Sequence, residues 1–268
     1  MKKGENILLI EAENSEMESY LKVIVEYLKG NLCQGMNLSE LNHIKTVDRS
    51  KLPRNVDARS EDDTIFLSVQ SIRQAMESVN LSKLEAYLKI DIEEMQGKVV
   101  NILNNLYHEF CHMSERSVSP ILHNIIADEK HYTILEKLVA HFWIEFVVEC
   151  KSGGQHFRSE VEFCDSFITT KWDIQYIKGN RDDIKDLYWL MYSTPYFIAL
   201  CFINNCFDYY FGKIIDKQIA ILVQRLYMVC TDLYKEESFD NYDKIKVIGE
   251  IFEETFNTKS KNYEALYL

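Results

Sequence analysis

His108-Glu109-Phe110-Cys111-His112 is the stretch of this chain best equipped for chemistry. It reads His-Glu-x-x-His, and its surroundings predict a helix. Residues four apart share a helix face, so both imidazoles can reach one metal ion. The glutamate between them can hold and deprotonate a metal-bound water. Zinc is the ion that this donor set expects, with three protein ligands and one open position.

The helix carrying the motif has an apolar stripe of Val99, Ile102, Leu103, Leu106, Phe110 and Met113. At about 100° per residue, Glu109 falls within that stripe and the two histidines along its edge. The bland reading is a pair of hydrogen-bonded histidines on an amphipathic helix. Cys111, with its helix neighbours, reads as a small core residue.

Two histidines need a third ligand. The next strong helix, about 133–150, offers Glu136, His141, Glu145 and Glu149, and its stripe is Ile134, Leu135, Leu138, Phe142 and Phe146. With Leu138 at zero, Glu136 falls at about 160°, Glu145 at about −20°, Glu149 at about +20° and His141 at about −60°. A carboxylate facing the core is costly unless it is paired or bound to a metal. Glu145 is therefore the expected third ligand and Glu149 a carboxylate behind the ligands. Glu136 is expected in solvent, and His141 is the competitor. A salt bridge is the bland reading of Glu145. A developing oxyanion also needs a donor, and Tyr188, Tyr192, Tyr196 and His156 all lie downstream. Tyr192 is the choice among them, with nothing in the sequence to single it out.

Leu106 to Met113 resembles the active-site helix of zincin metallopeptidases. Ala140-His141-Phe142-Trp143-Ile144-Glu145-Phe146 is similar to the glutamate-bearing helix of small bacterial gluzincins. The broad ImmA/IrrE-like group and related mobile-element proteins are the nearest comparison, over about residues 40–150. The upstream order is also similar: a helix, short strands, then the motif helix. The resemblance implies a zinc-dependent peptidase in which His108, His112 and Glu145 hold the metal and Glu109 is the general base. It implies that a strand such as 64–69 lines the substrate cleft, and that one specific protein partner is the substrate. The rival expectation is a zincin-like protein that binds or regulates without catalysis.

Elsewhere the pattern predicts a helix over 12–29, with Met17, Tyr20, Leu21, Ile24, Val25 and Leu28 inward. Short strands are expected over 43–47 and 64–69, with a loop from Arg59 to Asp63. Helix is expected from Leu81 to Met113, broken near Gly97, then a connection from Ser114 to Lys130 containing Pro120. Further helices are expected at about 157–177, 181–212, 214–235 and 241–257. The expected fold is α+β and mainly helical: a zincin-like core with a small sheet over residues 1–155, then a helical region over 156–268. With only 3 Pro and 9 Gly in 268 residues, long helices are favoured over a turn-rich sandwich.

A net charge of −12 disfavours nucleic acid and anionic membrane surfaces as partners. Seven cysteines, an odd number with no Cys-x-x-Cys pair, argue against a disulfide framework or a zinc knuckle. The N-terminal apolar run Ile7 to Ile10 is too short for a signal peptide. No 18-residue apolar run is present. A cytoplasmic bacterial enzyme acting on a protein or peptide is the expectation.

Overall fold

The computed structural model describes residues 8–53, 56–90, 97–128, 130–153, 184–214, 217–236 and 240–256. Among them the fold is α+β and mainly helical, with one small sheet. They form two compact units, one running through Ser117 and one starting at Val118.

The first unit is built on four strands: β1 (Leu9–Glu11), β2 (His43–Val47), β3 (Ala58–Glu61) and β4 (Thr64–Ser68). Their order is β1-β2-β4-β3. β1, β2 and β4 are parallel, and β3 runs antiparallel to β4. Ile44 on β2 pairs with Ile65 on β4, and both are fully buried. Helix α1 (Ser15–Asn31) makes the crossover between β1 and β2. It starts where the Asn14 side chain accepts from the Met17 N–H at 2.9 Å. Met17, Tyr20, Leu21, Ile24, Val25 and Leu28 form its buried face, the six positions expected from the pattern.

The sequence expects a loop over Arg59 to Asp63, but the chain forms β3 there and turns at Asp62, with φ +48°. Its register with β4, Arg59 opposite Phe66 and Ser60 opposite Ile65, supplies the backbone pairing. An edge strand tolerates the charged side chains that disguise it in sequence. Ser68 closes β4 and caps α2 (Val69–Ser78), accepting from the Ser71 N–H at 3.3 Å. Helix α3 (Leu81–Ile90) follows, and then Gly97, at φ +81°, precedes α4 (Lys98–Val118). Positive φ favours glycine, which places the break where the sequence expects it.

Among its described residues the second unit holds only helices: α5 (Pro120–Ala127), α6 (Ile134–Ser152), α7 (Ile184–Ile203), α8 (Phe207–Phe211), α9 (Lys217–Lys235) and α10 (Tyr242–Phe256). α6 packs against α5, α7, α9 and α10 and is its central helix. From Leu138 to Cys150 every residue of α6 except His141 is buried. At Gly249 of α10 an added Cβ would come within 2.9 Å of Val139 Cγ2, so glycine allows α10 to pack closely on α6. The expected helix over 181–212 ends at Ile203 instead. Asn205 takes φ +49° and the chain restarts as the short α8.

Ser114 to Lys130 is expected as a connection, yet α4 runs on to Val118 and α5 fills most of the rest. Pro120 begins α5 rather than breaking a helix, because proline at the first helical position gives up no needed N–H. The cap comes from far along the chain. Asp240 accepts from the Ile121 N–H at 2.9 Å and the Leu122 N–H at 3.1 Å. Asp240→Ala should therefore lower stability by roughly 1–2 kcal/mol, while Asp240→Asn keeps most of it. Thermal melting of the two variants checks this; an alanine variant that melts with the wild type removes the cap from the account.

Candidate metal centre

α4 places His108 and His112 on one face, half-buried, with Nε2 of each 3.1 Å from the other. Two ring nitrogens this close either share one proton or share one cation. Two zinc–imidazole bonds of about 2.0–2.1 Å at a tetrahedral angle put the nitrogens about 3.3 Å apart. The spacing thus fits a metal without rearrangement of α4.

Glu109 is only 7 % exposed. Among the described residues its carboxylate receives no hydrogen bond and forms no ion pair. A buried carboxylate without a donor is expensive, and among the described residues nothing offsets that cost, which a bound water or ligand could do. Glu115 is 1 % exposed and lies one turn beyond His112 on the histidine face. Nothing in the sequence reading singled it out, although its spacing, three residues after His112 and seven after His108, would have found it.

α6 carries the carboxylates. Glu136 is engaged at the helix start: its side chain accepts from the Thr133 N–H at 2.7 Å, while Thr133 Oγ1 accepts from the Glu136 N–H. This reciprocal capping box occupies Glu136. Glu145 and Glu149, one turn apart, are 7 % and 5 % exposed. Tyr196 on α7 donates its hydroxyl to Glu145 Oε2 at 2.5 Å. His141 Nε2 stands 3.5 Å from Glu145 Oε1, and the His141 ring stacks on Tyr192 with centroids 4.9 Å apart. Burial pushes the Tyr196 phenol well above the ordinary tyrosine range, and the negative charge of Glu145 adds to this. Tyr196 therefore stays protonated and donates.

One potential metal-holding group stands out among the described residues. The ligand atoms of His108, His112 and Glu145 all lie within 4.8 Å of one another. Two imidazoles and one carboxylate are a donor set that suits zinc. Glu136, His141 and Glu149 lie outside this group, as does Glu109.

Of the expected oxyanion donors, Tyr192 is half-buried against His141. The Tyr188 side chain and His156 lie outside the described residues. His131 is exposed and bound to Asp128, Nδ1 to Oδ2 at 2.8 Å. The six described cysteines are free thiols, and all but Cys206 are buried. Among the described residues no helix is long and apolar enough to cross a membrane. Comparison with family models, with curated proteins and with solved structures finds no match.

Proposed function

We propose that this chain is a zinc-dependent metallopeptidase that hydrolyses a peptide bond in a cytoplasmic protein or peptide. The observation that carries this reading is a conjunction: two facing imidazoles on α4, a buried glutamate between them without a donor among the described residues, and the buried Glu145 carboxylate of α6 in one metal-holding group with the imidazoles. The His-Glu-x-x-His spacing and the resemblance to zincins point the same way.

His108, His112 and Glu145 would hold the ion, and zinc so held would supply Lewis acidity at the reacting carbonyl. Glu109 accepts the proton from the attacking water and returns it to the leaving amine, so hydroxyl ends on the new carboxyl group and hydrogen on the new amine. Tyr196 is engaged by Glu145, and of the four candidates Tyr192 is the one we assign to the developing oxyanion.

Tag-free protein supplied with zinc and incubated with a bacterial lysate should generate new N-termini, detected by terminal labelling and mass spectrometry. A chelator should abolish them and added zinc should restore them. Cleavage that persists in chelator, or a metal-loaded protein that creates no new terminus, would overturn the proposal.

A further inference from the structure

Two helices of the second unit face each other through paired side chains. His141 and Glu145 are four apart on α6; Tyr192 and Tyr196 are four apart on α7. His141 meets Tyr192 by stacking, and Glu145 meets Tyr196 by a 2.5 Å hydrogen bond. We infer that Tyr196 is the positioning residue of the metal centre: its hydroxyl holds Oε2 of Glu145 and so fixes the orientation in which the carboxylate is presented to the metal. The inference rests on Glu145 being a metal ligand.

The chemistry favours this role. An ionised carboxylate has no proton to give, so the phenol must be the donor. A hydrogen bond to a charged acceptor at this length is among the stronger ones a protein makes. A carboxylate with one oxygen held by a fixed donor rotates less freely and favours binding a metal through the other oxygen. Partners of this kind orient ligands and typically contribute 10–100-fold to metal affinity. Pairing with Glu145 also gives Tyr196 a task different from that of Tyr192, although both lie on α7.

The test is a double-mutant cycle on zinc affinity, read by competition with a chromophoric chelator, using wild type, Tyr196→Phe, Glu145→Ala and the double variant. Tyr196→Phe deletes one oxygen and keeps the ring, and melting of the metal-free proteins checks folding. The expected result is a loss of about 10–100-fold for Tyr196→Phe in the wild-type background, and no further loss once Glu145 is alanine. Cobalt-substituted Tyr196→Phe should show weaker visible bands than the wild type, as the freed carboxylate adds a second oxygen to the metal. Affinity of Tyr196→Phe within twofold of wild type, or an equal loss in the Glu145→Ala background, overturns the inference. Those results leave the peptidase reading standing. A wild type that binds no zinc, or a Glu145→Ala that binds it unimpaired, instead removes the ligand assignment itself.

Discussion

A His108→Ala/His112→Ala double variant should hold no zinc, where the wild type purified without a histidine tag holds about one ion per chain. The effect should be near total because both changes strike nitrogens 3.1 Å apart on one face of α4. Glu145 alone cannot retain the ion; one carboxylate, without the two imidazoles, is too weak a site for zinc. The fold should survive. Both histidines are half-buried, and the buried stripe of Val99, Ile102, Leu103, Leu106, Phe110 and Met113 is untouched. Alanine is also the best helix former. Circular dichroism should therefore match the wild type while elemental analysis shows the zinc gone. Zinc content unchanged in the double variant would remove α4 from the site, and with it the peptidase reading.

The motif helix was legible because helical periodicity and ligand spacing coincide there: the residues that bury α4 also fix which face carries the imidazoles. α1 was legible for the same reason, down to its six buried positions. What escaped depends on partners remote in sequence. β3 is polar, and only its pairing with β4 makes it a strand. α5 hid behind Pro120 because its cap, Asp240, is 119 residues away. The angular argument for Glu145 met a different obstacle. α6 is buried on nearly all sides, so a stripe drawn on it has little power to separate one carboxylate from another. The sharper signal was local: Thr133-Ile134-Leu135-Glu136 is a capping-box sequence, and that box occupies Glu136. The task of Tyr196 could not be read from sequence, because sixteen tyrosines look alike until α7 is laid against α6.

Glu109→Gln should keep the metal and lose hydrolysis. The substitution keeps size and shape, so α4 and the facing imidazoles are undisturbed. Glu109 lies outside the His108, His112 and Glu145 group, so zinc content should stay at the wild-type value. What changes is proton transfer. A carboxylate can take the water's proton and pass it to the leaving amine, whereas an amide at neutral pH can do neither. General base catalysis is typically worth 10²–10⁴-fold, and the rate on a substrate found by terminal labelling should fall by about that much. The metal-loaded, inactive variant should also hold the intact substrate and so serve to trap it. Full hydrolysis by Glu109→Gln would show that another group moves the proton. Zinc lost together with activity would make Glu109 a ligand rather than a base. Substrate bound tightly by both proteins, with neither cutting it, would favour the non-catalytic alternative, in which the same buried glutamate and paired imidazoles serve recognition alone.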